Sequence, residues 1–121
     1  MNNHKDLEIW RLAKSLAADI YKLTKKFPKD EIFSITNQIK RSCVSISTNI
    51  AEGSGRNSPK EFLQFLAISN GSSTELDTLL EISLDVEFIT IEEYTALNEK
   101  IDRIQKMNRK LQASIRSRYN I

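Results

Sequence analysis

Apolar residues along this 121-residue chain recur every three or four positions, in four blocks separated by short polar breaks. Ile9, Ala13, Leu16, Ile20 and Leu23 share one helical face, as do Ile32, Ile35, Ile39, Cys43, Ile46 and Ile50. A third stripe runs through Phe62, Phe65, Leu66, Ser69, Ser73, Leu76, Leu80 and Leu84. The fourth, Leu97, Ile101, Ile104, Asn108, Leu111 and Ile115, alternates spacings of four and three like a heptad seam. Helices are expected over about 4–26, 31–52, 58–88 and 91–118. Short connections should make consecutive helices pack antiparallel. Residues 1–121 therefore read as one all-α domain, an up-down four-helix bundle.

The breaks carry their own signals. Phe27-Pro28-Lys29-Asp30 interrupts the first stripe, because the residue before proline is pushed out of the helical region, and Asp30 suits the N-cap of the second helix. Val44, Ile46, Thr48 and Ile50 alternate with small polar residues, as a half-buried strand would. The helical period spans more residues, 32–50, and no partner strand follows, so helix is the reading. Residues 49–66, NIAEGSGRNSPKEFLQFL, form the sharpest corner. Gly53 is expected in the left-handed position that ends a helix. Ser58-Pro59-Lys60-Glu61 is a capping box with proline at the first helical position, and Thr90-Ile91-Glu92-Glu93 is a second box. No strand precedes GSGR, which matches neither a dinucleotide fingerprint nor a P-loop. A plain corner is the main reading; an anion held by Arg56 and Lys60 at the helix N-terminus is the alternative. Serines in the middle of the third stripe, with Gly71 nearby, suggest a waist where backbones approach closely. Asn108 either sets register inside the seam or lies wet near the bundle end, and the wet reading is preferred.

Several helices carry more apolar surface than one small core needs. Ile68, Leu79, Ile82 and Val86 form a second seam on the third helix, about 100° from the first. Trp10, Ala17 and Tyr21 add to the first helix, and Phe33, Val44 and Ala51 to the second. Such seams point to a homo-oligomer with the Ile68/Leu79/Ile82/Val86 face as interface.

Composition narrows the function. Hydrophobic residues make up 40% and charged ones 28%, an ordinary globular balance, and the net charge of +2 announces no nucleic-acid binder by itself. Cys43 is the sole cysteine, so no internal disulfide forms, which fits a reducing compartment. His4, Lys5, Asp6 and Glu8 stand where a secretion signal would be apolar, and the longest uncharged run, 62–74, is too short for a membrane. A cytoplasmic protein without membrane contact is expected. Catalysis is not: the lone His4 is near the terminus, Cys43 falls on a core stripe, and no metal-ligand spacing occurs. No cofactor is expected either.

Two polar features remain. Gln38, Arg41, Asn49 and Glu52 lie beside the apolar stripe of the second helix and are expected to form a hydrogen-bonded network, within or between subunits, with a ligand site as the alternative. Charge is also segregated. Nine acids and no lysine or arginine occupy 61–99, whereas Arg103, Lys106, Arg109, Lys110, Arg116 and Arg118 follow Asp102 without an acid. Arg103, Lys106 and Lys110 should point outward as a phosphate-binding stripe, with Lys40, Arg56 and Lys60 as further candidates. A solvated helix end complementing its dipole is the alternative.

Gln38-Ile39-Lys40-Arg41, Val44-Ser45-Ile46, Asn49-Ile50-Ala51-Glu52-Gly53, Glu61-Phe62 and Gly71-Ser72 with Glu75-Leu76 together resemble the 23S rRNA-intervening-sequence protein family. The resemblance spans nearly the whole chain and implies a bacterial four-helix subunit in a ring-like homopentamer. It is similar also to the accessory variability protein of diversity-generating retroelements, a more basic pentamer that binds nucleic acid and a reverse transcriptase. Ser47 stands where many relatives have proline. Two functions are compatible with all of this: a non-catalytic scaffold holding structured RNA or other nucleic acid, and an adaptor ring for a protein partner.

Overall fold

Four α-helices carry the chain: α1 Glu8–Thr24, α2 Ile35–Ser54, α3 Pro59–Asp85 and α4 Ile91–Tyr119. The computed structural model describes residues 3–121, and among them there is no strand, so the alternating run at 44–50 is helix. Each helix packs on its sequence neighbour, α4 closes onto α1, and the diagonal pairs do not meet. Cross-helix bonds fix the directions. Ser45 and Ser72 pair, and Ser69 donates to the Ile46 carbonyl. Asn108 reaches Leu66, Gln105 reaches Ser73 and Asn98 reaches Asp77. Lys100 holds Asp19 and Lys26 holds Glu93. Numbers rise on one helix as they fall on the next, so the bundle runs up and down.

The stripes form the core. Leu16, Ile20, Ile39, Ile46, Ile50, Leu66, Leu76, Leu80, Ile101 and Ile104 are all fully buried, each contributing about 1.5–3 kcal/mol of transfer free energy. Leu79 joins them at 8% exposure, so it is not part of an outer seam. The reason is geometric: α3 touches both α2 and α4, so its buried face is wide enough to take residues on either side of the Leu76/Leu80 line. Ile32 moves the other way and is 53% exposed.

Helix ends depart from expectation in four places. Residues His4–Asp6 make a separate 3₁₀ turn, capped by the Asn3 side chain, before α1 begins. Lys29–Glu31 is likewise a 3₁₀ turn, so Asp30 caps nothing and α2 starts at Ile35 after a break at Ser34. Ile32 and Phe33 face solvent there, leaving no burial to hold a longer helix, while Phe27 packs edge-on against Phe88 to close this end of the core. α3 stops at Asp85 because Glu87 takes a left-handed conformation (φ 66°). The Phe88 N–H then bonds the Ser83 carbonyl and the Glu87 N–H bonds that of Leu84, a Schellman closure with glutamate in the place glycine usually holds.

The fourth departure is Gly53. It is buried inside α2, not left-handed, and the helix continues to Ser54. A Cβ there would lie 2.7 Å from Phe65 Cβ and 2.9 Å from Phe62 Cδ1. Its role is close approach of α2 to the first turns of α3. Gly71 has no such role, since it faces open space; Ser69 and Ser73 line the narrow helix contacts instead. Of the two capping boxes, the one at Thr90 is complete, whereas at Ser58 only the hydroxyl-to-Glu61 half forms. Asn108 is buried, donating to the Leu66 carbonyl at 2.9 Å and accepting from Gln112. The wet reading is thus overturned: its amide ties α4 to α3 at one register.

Candidate nucleic-acid interface

Burial of Ile101, Ile104, Asn108 and Ile115 turns the other faces of α4 outward. Arg103, Lys106, Arg109, Lys110, Arg116 and Arg118 are all exposed. Lys106 pairs with Asp102 one turn earlier at 2.9 Å, an exposed contact of small energy. The other five make no salt bridge among the described residues. Positive charge is therefore concentrated on α4 beyond Asp102, five of the six cations lacking an acidic partner among the described residues, and Arg116 and Arg118 in the last turn also complement the helix dipole.

The remaining candidates divide. Arg56 is engaged by Glu52 at 2.8 Å and Glu61 at 3.6 Å and lies over the Phe65 ring. Two carboxylates offset its charge, so the anion reading of this corner loses its principal cation. Lys60 stays exposed on the first turn of α3. That turn sits at the same end of the bundle as the last turns of α4, because Ser54, Phe62, Ile115 and Tyr119 line one cavity. Lys60, Arg116 and Arg118 thus lie at the same end of the bundle. Lys40 is not brought there: it lies over the Tyr21 ring on the N-terminal half of α2.

The four residues expected to form a polar network are not bonded to one another. Gln38 and Arg41 are exposed, and Glu52 goes to Arg56. Asn49 donates to the Ser45 carbonyl and hydroxyl, and Ser45 pairs with Ser72 at 2.8 Å. What exists within the subunit is a Ser45–Asn49–Ser72 link between α2 and α3. A second cluster escaped notice in the sequence. Asp77 accepts from Tyr94 at 2.9 Å and from Asn98 at 2.8 Å, clasping α3 to α4. Burial, the Asp77 hydrogen bond and its charge all push the Tyr94 hydroxyl up from its ordinary pKa, so it stays a donor. The spacing of Tyr94 and Asn98, one turn apart opposite an acid, was the available signal. At the same end of the bundle Lys26, aided by the Thr90 N–H, holds the Glu93 carboxyl below the usual carboxylate range.

On α3, Ile68, Ile82 and Val86 are 52%, 43% and 51% exposed, an apolar line that nothing in the subunit covers. The model of the 23S rRNA-intervening sequence protein family matches residues 5–110. The chain belongs to that family. As a member of it, the chain is similar to a solved structure from Bacteroides thetaiotaomicron, described as a protein with unknown function from the S23 ribosomal protein family. The two are 28% identical, and the match covers 86% of this chain and 97% of that one with a TM-score of 0.80. No curated protein matches. No helix of this family member is long and apolar enough to cross a membrane among the described residues.

Its reactive groups are few. Cys43 is fully buried, its thiol bonded to the Lys40 carbonyl. Burial is the main cause that raises its pKa to about 11, so the thiolate that would act as nucleophile is scarce. His4 meets the Trp10 ring edge-on at 4.9 Å. Among the described residues no three of His, Cys, Asp and Glu gather as a metal set.

Proposed function

We propose that this protein is a non-catalytic scaffold that assembles with copies of itself and holds structured RNA or other nucleic acid through phosphate contacts. The observation that carries the reading is the outer surface of α4, where six exposed cations follow Asp102 and only Lys106 has an acidic partner among the described residues. Phosphates are recognised by such clustered charge without base readout. A symmetric ring, a pentamer on the family resemblance, would repeat the stripe in every subunit. Weak local charge then becomes a multivalent surface, which suits a chain of net charge +2.

Filter binding of the protein to a duplex RNA over a salt series tests this. Log affinity is expected to fall linearly with log salt, with a slope set by the number of phosphates contacted. Absence of binding even at about 50 mM salt would overturn the reading. An adaptor ring that engages a protein partner would then take its place, supported by the uncovered apolar line of α3.

Assembly has its own test. Ile82→Asp places a charge on the exposed Ile68/Ile82/Val86 line without touching the core. Light scattering is expected to show the oligomer falling to about one subunit's 13.9 kDa while the circular dichroism spectrum keeps its helical form. A wild-type protein already monomeric at micromolar concentration would remove the proposed interface.

A further inference from the structure

The end of the bundle where α1 and α3 begin and α2 and α4 finish is not closed. A cavity of about 430 Å³ opens there, within the roughly 300–1,000 Å³ range of small-ligand pockets. Its inner wall is mostly apolar: Phe62 and Ile115 are 4% and 6% exposed, with the half-buried Leu7 and Leu111 beside them, and the one buried polar group there, the Ser54 hydroxyl, is tied to the Ala51 carbonyl. Its rim is different, made by Ser114, Arg118 and Tyr119, all exposed. Lys60 on the first turn of α3 and Arg116 on the last turn of α4 stand exposed at the same end of the bundle, and neither they nor Arg118 make a salt bridge among the described residues.

The ligand such a wall and rim select is a flat, uncharged ring carrying an anion. The ring enters against Phe62, Leu111 and Ile115 and stacks on Tyr119, while the anion stays outside with Arg118. A lipid or fatty acid would need a longer apolar channel than four helix ends enclose. A nucleobase with its phosphate fits. Single-stranded RNA offers bases already unstacked, and proteins take them up on aromatic rings and guanidinium planes.

We propose that this end cavity accepts one unstacked base from a single-stranded or looped stretch of RNA, whose backbone is held by the neighbouring cations. The inference rests on the nucleic-acid reading above and makes it specific: strands with free bases are preferred over closed duplex. Phosphate contacts supply the salt-sensitive part of the affinity, and base insertion supplies a part that salt leaves alone.

The test uses the full-length protein and three labelled probes carrying equal numbers of phosphates: a single strand, the same backbone with abasic sugars, and a blunt duplex. In fluorescence anisotropy titrations the single strand is expected to bind roughly tenfold or more tighter than the abasic strand, the loss typical of one stacked base. Tyr119→Ala, and Ser114→Phe as a cavity-filling change, should each bring the single strand down to the abasic level, with salt slopes unchanged. Both positions are exposed, and circular dichroism checks the fold. If single and abasic strands bind wild type alike, with the salt dependence still present, base insertion is wrong and phosphate binding stands. If no probe binds, both fall. If adenosine monophosphate alone binds as tightly as the strand, the cavity is a mononucleotide site and the RNA assignment is overturned.

Discussion

Reversing Arg103, Lys106 and Lys110 to glutamate is expected to cut RNA affinity by roughly two to three orders of magnitude near 0.1 M salt. The size follows from counterion release. Each phosphate contact adds roughly 0.9 to the log-log salt slope on duplex DNA and somewhat less on single strands, so at 0.1 M it is worth roughly eightfold relative to 1 M. Three lost contacts multiply. The loss should be the same for every sequence, and the slope should flatten by roughly two to three units. Fold and assembly should survive, because the three side chains are exposed and the Ile101/Ile104/Ile115 line beneath them is unchanged. A glutamate at 106 would face Asp102 one turn earlier, a repulsion of only about 0.2–0.5 kcal/mol. Filter binding over a salt series, with sizing and circular dichroism as controls, measures all of this. Binding that survives the triple reversal would place the surface elsewhere, with Lys60 the next exposed candidate.

Gly53→Ala should destabilise the protein, against the usual gain of such a change within a helix. Alanine in place of a mid-helix glycine ordinarily adds about 0.5–1 kcal/mol. Here the new methyl would meet Phe65 Cβ at 2.7 Å and Phe62 Cδ1 at 2.9 Å. Phe65 Cβ is anchored to the backbone and cannot swing aside, so α2 and α3 must part at this contact. Overpacking of this kind costs about 1–3 kcal/mol. For a chain of this length that corresponds to a fall in Tm of roughly 4–12 °C. Gly71→Ala supplies the contrast, since nothing lies within 4 Å of the added carbon, and it should raise Tm by a few degrees. Thermal unfolding of the two variants beside wild type decides the matter. If both alanines stabilise, the close contact at Gly53 is softer than its distances imply.

The two glycines show why a sequence is legible in some respects and not others. Their neighbours suggest a helix end for Gly53 and a narrow waist for Gly71, and the structure gives the close contact to the first and open space to the second. Only the position of α3 decides which one has phenylalanine against it. Asn108 is similar. Its place in the seam was plain, but whether that level of the seam is wet depends on the Leu66 carbonyl arriving opposite it. Leu79 and Ile82 sit on adjoining faces of one helix, and their opposite fates are set by how far α2 and α4 wrap around α3. For the candidate interface, the exposed cations of α4 were readable from the stripe that buries the other face. The engagement of Arg56 by Glu52 was a one-turn spacing, readable in principle, but Glu61 joins it only because the corner folds back.

Taken alone, the sequence determines four helices, the stripe each buries and the caps that open α3 and α4, because these depend on contacts within one or two turns of the same helix. It determines equally that cations gather beyond Asp102, since an exposed face follows from a buried one. Tertiary structure decides whatever needs a neighbour: the close approach at Gly53, the burial of Asn108, the Asp77 clasp to Tyr94 and Asn98, and the cavity at the meeting of four helix ends. Helical periodicity repeats every 3.6 residues along one strand of chain and holds no information about the rotation and offset of the helix beside it. Those come from packing side chains of many separate turns at once, and the site is made there.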